Sequence, residues 1–229
     1  MSHKISSKLS CSVILLCLTS LSASAENSDK TNEVGELYNS VVDKIKTLTQ
    51  TTKVDIDDNS FSCIREMTPV RHFYVDNLLG DIEKTVAVAN DPKGKKYPAG
   101  SVIQLVPTEA MVKREAGTFP ATGDWEFFEL AVDEQGTKIG KRGFVDVVNR
   151  FDGNCFTCHA PAREQWDFVC ESDHGCEPIP IDHSMTGALQ RADPRCGEAE
   201  PQDGDAMALF KLKAMVTIGT AKKWFEDKF

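Results

Sequence analysis

Cys155-Phe156-Thr157-Cys158-His159 sets two thiols at a C-x-x-C spacing and puts an imidazole directly after the second. Each thiol at this spacing can add to one vinyl group of a porphyrin, and the adjacent histidine then reaches the iron from one face. The pattern predicts one covalent haem c, carried by Cys155 and Cys158, with His159 as the proximal iron ligand. Three other readings compete. A dithiol redox pair wants a thioredoxin-like βαβ context, which is not visible here. A zinc site wants a second C-x-x-C or an H-x-x-x-H at finger-like spacing, and neither follows. The third reading is a plain bridge with an incidental histidine.

The compartment has to suit that chemistry. Lys4 and Lys8 make a basic start, residues 13–18 a short apolar core, and Ala23-Ser24-Ala25 a small-residue cleavage site before Glu26. Residues 1–25 therefore read as a signal peptide cleaved after Ala25, for a periplasmic or secreted protein. The apolar run is too short to span a bilayer, and Leu16 before Cys17 argues against lipid attachment. In bacteria covalent haem is attached outside the cytoplasm, so leader and motif agree. What remains suits one domain with a sizeable core and an appendage. The chain carries 26 basic and 35 acidic residues, a formal net charge of −9. That balance argues against nucleic acid and anionic membranes as partners and would suit a soluble, basic redox partner. No second long apolar run exists, so no membrane span is expected.

Outside the leader and the motif stand Cys63, Cys170, Cys176 and Cys196. Four cysteines in an oxidising compartment suggest two disulfides, with three connectivities open. Cys170 and Cys176 could bridge locally, leaving Cys63 with Cys196, but the spacing does not settle the choice.

Several elements must position the motif. Residues 26–60 read as a polar tail, an amphipathic helix over 33–50 and a polar loop over 51–60. Strands are expected over 70–76, 101–106, 109–114 and 125–133, with a helix over 78–89. Turn chemistry marks 91–94 and 133–136, and 138–148 has no clear assignment. Phe127 and Phe128 are neighbours on a strand and so should face opposite sides, with Trp125 in the core. Residues 170–204 read as irregular and disulfide-held. A C-terminal helix is expected over 205–227, with Asp205 as a cap.

Five blocks then fall into a familiar order: H-F-Y-V-D-N (72–77), Y-P-A-G-S-V-I (97–103), E-A-M-V-K-R (109–114), G-D-W-E-F-F (123–128) and C-F-T-C-H-A-P-A-R-E-Q-W-D-F-V-C (155–170). Together they resemble the cytochrome P-460 and cytochrome c′-beta family. The resemblance, which runs over residues 70–172, implies an α+β fold, a dimer-forming antiparallel sheet flanked by helices, with its haem c domain at 61–172; the Cys/Pro-rich extension at 173–229 is read from its composition and lies outside the resemblance. The resemblance also implies one covalent haem whose distal face is open to small molecules. One branch of the family oxidises hydroxylamine and binds nitric oxide, and the other binds nitric oxide without that oxidation. The oxidising branch ties a strand lysine to the porphyrin. The matching position here, five residues after Gly100, is Leu105, so the cross-link is expected to be absent and the distal pocket apolar. Glu109 matches a distal glutamate that can relay protons, against the plainer reading of a solvated strand-end carboxylate.

The function so implied is an exported mono-haem cytochrome that binds nitric oxide or turns over small nitrogen oxides. The alternative is a one-electron carrier with a six-coordinate haem. For that alternative Met67, Met111, Met185, Met207 and Met215 are candidate sixth ligands. Met185 leads, because it lies in the unfamiliar segment after the motif. His72, His174 and His183 are further axial candidates, and Arg163 is a candidate partner for the haem propionates.

Overall fold

Segment 125–133 (W-E-F-F-E-L-A-V-D) carries aromatic and other apolar residues on both alternating faces, Trp125 and Phe127 on one and Phe128, Leu130 and Val132 on the other, a composition that asks for cover on both sides. In the computed structural model it forms β5 (Trp125–Asp133), a strand of a six-stranded antiparallel sheet. The others are β1 (Thr68–Val70), β2 (Phe73–Asn77), β3 (Ser101–Gln104), β4 (Glu109–Lys113) and β6 (Gly136–Gly143), in sequential order β1-β2-β3-β4-β5-β6. The structure describes residues 35–44, 53–149, 153–162, 164–171, 173–198 and 201–226, with side chains as far as 219. The expected leader at 1–25, the polar tail at 26–32 and Arg163 lie outside the described residues.

Register assigns the faces. Val75 pairs with Ile103, Ile103 with Met111 and Met111 with Phe127, which puts these side chains on one face. Helix α2 (Ile82–Ala89) covers part of that face through Ile82 and Val86. On the other face Val102, Ala110, Val112 and Phe128 pack under Val54, Phe61, Ile64 and Met67. Phe127 and Phe128 therefore face opposite sides, as their adjacency requires. Residues 53–60 are not merely a polar loop, since Val54 is fully buried. Glu126, also buried, is held between Arg114 and Arg142.

The chain divides into two units, Met1–Thr49 and Gln50–Phe229. In the first, residues 35–44 are helical (α1) with Leu37, Tyr38 and Val41 exposed. The second holds the sheet, the motif helix α3 (Cys155–His159), α4 (His183–Arg191) and α5 (Asp205–Glu226). Among the described residues no helix is long and apolar enough to cross a membrane.

Residues 170–204 depart from expectation, because α4 lies within them. Its start is set by Asp182, whose carboxylate accepts the Met185 N–H at 2.9 Å. Asp205 is not a cap but the first residue of α5. Its carboxylate accepts from the Gln202 N–H at 2.9 Å and from Arg191 Nε and Nη2 at 2.8 and 2.6 Å. That pair ties α4 to α5.

The four remaining cysteines pair as Cys63–Cys196 and Cys170–Cys176. Around Cys196 the extension is tied to the sheet. Asp193, 1% exposed, accepts the Ile64 N–H at 2.9 Å and pairs with Arg195 at 2.7 Å. Arg195 Nη1 donates to the Phe61 carbonyl at 3.2 Å and to Thr137 Oγ1 at 2.9 Å. Further along, Gln190 Nε2 donates to the carbonyls of His72 (2.9 Å) and Leu105 (2.8 Å).

Two outcomes follow from these ties. The Cys63–Cys196 bridge closes a loop spanning 133 residues. A Cys63→Ala, Cys196→Ala variant should lose about 2–5 kcal/mol, read as a lower urea midpoint. Asp205 is held down at about 2, chiefly by Arg191 and then by the Gln202 N–H. Because the folded value is depressed, its stabilisation is full above the unfolded pKa of ~3.9 and is lost as pH falls toward 2. The urea midpoint should fall across that window, and Arg191→Met should remove this part of the dependence.

Candidate functional site

Asn154 organises the motif. Its Oδ1 accepts the Thr157 N–H at 2.9 Å and caps α3, while its amide donates to the carbonyls of Phe144, Val145 and Val147. The helix is thereby anchored to the chain leaving β6. Positions 155, 158 and 159 fall on one side of a helical turn. Both thiols and the imidazole accordingly line the same cavity, of about 1340 Å³. Cys155 and Cys158 are free thiols. Burial above all pushes the Cys155 thiol up to about 12, and the charge of Glu109 adds to the rise.

The cavity floor is the sheet face carrying Phe73, Ile103, Met111 and Phe127. Its opposite wall is the extension, with Ile179 and Ile181, Leu189 of α4, and Leu209, Leu212 and Val216 of α5. Leu105 and Glu109, at the facing ends of β3 and β4, both line it.

His159 is oriented by a single bond. Its Nδ1 lies 2.8 Å from the Phe168 carbonyl. A carbonyl can only accept, so Nδ1 carries the proton and Nε2 keeps its lone pair. Burial pushes the imidazole pKa below its ordinary value, which favours the neutral ring. The Phe127 ring packs beside it, with centroids 5.2 Å apart.

The loop supplying that carbonyl has an unusual backbone. Asp167 (φ +51°) and Phe168 (φ +64°) are consecutive non-glycine residues in the left-handed region. The Asp167 carboxylate accepts from Lys113 Nζ at 2.8 and 2.6 Å and from the Tyr97 N–H at 2.9 Å. Trp125 Nε1 donates to the Asp167 carbonyl at 2.6 Å. Lys113 Nζ also donates to the Gly123 carbonyl at 2.6 Å. Its N–H groups are thus committed away from the cavity.

The other sequence candidates separate. Of the five candidate methionines, Met111 alone lines the cavity. Met185, the leading candidate, packs instead with Ala188 and Ala208 between α4 and α5. Met215 packs against that cluster, Met67 lies on the opposite sheet face and Met207 is exposed. His72 and His183 both line the cavity and stack on each other, centroids 4.5 Å apart. His174 stacks on Trp166 at 3.9 Å and is bonded to the Val169 carbonyl. Asp167, Lys113 and Gln190 were missed. The available signal for the first was W-D-F-V (166–169), separated from the motif by six residues.

Among the described residues no group of three or more His, Cys, Asp or Glu is arranged to hold a bare metal ion. No protein-family model, curated protein or solved structure matches the chain.

Gly123 adopts φ +63°, and a Cβ there would lie 2.8 Å from the Phe168 ring. Gly123→Ala combines left-handed strain with overpacking. It should cost about 2–4 kcal/mol, measured as a lower urea midpoint at unchanged slope.

Proposed function

We propose that the chain is a mono-haem c-type cytochrome of the cytochrome P-460 and c′-beta kind, whose open haem face binds nitric oxide or a related small nitrogen oxide. The observation that carries the reading is the shared cavity. Two motif thiols and the His159 imidazole line it together, with Nδ1 already committed to a carbonyl. The residues fit the group. Cys155 and Cys158 have the spacing for two thioethers, His159 Nε2 keeps its lone pair, and the apolar floor suits a macrocycle. The volume exceeds the roughly 300–1,000 Å³ of ordinary small-ligand sites. When bound, the haem supplies an iron whose second axial position can take a small ligand.

The chain's own residues set what that position meets. Ile103 and Leu105 keep the space apolar and exclude water, which favours neutral diatomic gases over hydrated ions. Glu109 can hold or release a proton at the cavity edge. Leu105 has no amine for a porphyrin cross-link, and Lys113 is occupied by Asp167 and Gly123. Both points count against hydroxylamine oxidation. The two disulfides agree with an oxidising compartment, and the net charge of −9 would suit a basic electron donor. A one-electron carrier with a six-coordinate haem is the second reading, favoured by His72 and His183 lining the same cavity.

Mass spectrometry of the denatured holoprotein should find one haem retained, and Cys155→Ala, Cys158→Ala should abolish that retention. Covalent haem in the double variant would sink the assignment. The ferrous spectrum should be five-coordinate and of ordinary c type, and should change on adding nitric oxide. Hydroxylamine turnover should be weak. Glu109→Gln should slow redox turnover while leaving gas binding nearly intact. A low-spin, six-coordinate spectrum in both oxidation states would select the electron-carrier reading.

A further inference from the structure

We propose that the buried Lys113–Asp167 pair is a positioning device for the His159 imidazole, acting through the carbonyl of Phe168. The device is read from the fold, and only its spectroscopic test rests on the haem reading above.

Two consecutive left-handed residues with side chains are unfavourable, and persist only where the surroundings over-determine them. The surroundings here do so. The Asp167 side chain is held by Lys113 of β4 and by the Tyr97 N–H, and its carbonyl by the Trp125 indole of β5. These bonds fix the 167–168 peptide plane against the sheet. The Phe168 ring is then wedged over Gly123 and beside Phe156, whose centroid lies 6.3 Å away. With its plane and ring fixed, Phe168 has little freedom left, and its carbonyl points at His159 Nδ1.

A stability role alone explains the pair poorly. Lys113 and Asp167 side chains are 8% and 2% exposed, and a buried ion pair is often matched or exceeded in stability by apolar residues of the same shape. Leucine and methionine could fill the space but could not hold residue 167 in the left-handed region. The strength of the Nδ1–H···O=C bond sets both ring orientation and imidazole basicity. A basic, well-oriented imidazole favours ferric iron, so loosening the carbonyl should raise the haem potential.

The test compares wild-type holoprotein with Asp167→Asn, Lys113→Met and Lys113→Arg. Asparagine tolerates left-handed backbone and can still accept the Tyr97 N–H, so Asp167→Asn decides the matter even where Lys113→Met fails to fold. Asp167→Asn and Lys113→Met should show a raised midpoint potential and a lowered ferrous iron–imidazole stretching frequency, with covalent haem content by mass unchanged. Lys113→Arg should restore both values most of the way. Folded variants with a lower urea midpoint but wild-type potential and stretching frequency would overturn the proposal and leave a merely structural ion pair. Wild-type chain without covalent haem would instead overturn the haem reading. The imidazole ¹⁵N shifts of His159 then decide the positioning in the same chain. A single Nδ1-protonated tautomer that becomes mixed in Asp167→Asn supports it, and an unchanged tautomer overturns it.

Discussion

A carboxylate taken out of water loses several kcal/mol of hydration unless cations and N–H groups replace what it has left. Asp167 meets that demand by recruiting parts distant in sequence: Lys113 from β4 and the Tyr97 N–H from the approach to β3. Its own carbonyl recruits Trp125 from β5. The loop after the motif is thereby tied to the sheet rather than to its sequence neighbours. Gly94 and Gly123 give the same loop room, since a Cβ on either would collide with residues 165–168. The motif helix depends on this arrangement. It is only five residues long, too short to hold an imidazole in place by itself.

Asp193 repeats the device on the other sheet face. It too is almost fully buried, pairs with a cation (Arg195) and accepts a backbone N–H from far away (Ile64). The Cys63–Cys196 bridge lies beside it. The chain between the two aspartates starts on the motif side and finishes on the opposite face. In between it has to pass over the end of the sheet, where Gln190 bonds the His72 and Leu105 carbonyls. The cavity is the space left under that crossing. Its roof is therefore part of the same folded unit as its floor.

What the sequence made legible follows from how local each signal is. β5 could be placed to the residue, because its nine positions carry their own aromatic and apolar pattern, closed by turn residues. β6 (G-T-K-I-G-K-R-G) could not, since it has almost no apolar face and forms by pairing with β5. α4 was hidden by its polar, glycine-containing sequence, although Asp182 three residues before Met185 is an ordinary cap signal. The residue types and spacing of the motif were legible, but the orientation of His159 was not. It depends on a carbonyl nine residues away, presented by a backbone reversal that no residue preference announces. Met185 was favoured on position alone, and pairing of α4 with α5 buries it elsewhere. The disulfide pairing was one of three until the fold brought Cys63 and Cys196 together.

Charge around the cavity separates the ligands that the proposed function admits. Glu109, Asp173, Glu177 and Asp182 line it, with Glu171 neutralised by its pair with Arg71, against Lys213 as the lysine or arginine among the described lining residues. Carboxylates at the edge of a low-dielectric space set up a negative potential that is poorly screened within a few ångströms. The two propionates of a bound haem would add to it. Nitrite and nitrate must lose hydration and also climb that potential to enter. Nitric oxide, neutral and weakly hydrated, meets neither obstacle. The apolar floor and the acidic rim therefore act in the same direction: the first penalises any charge, and the second penalises anions in particular.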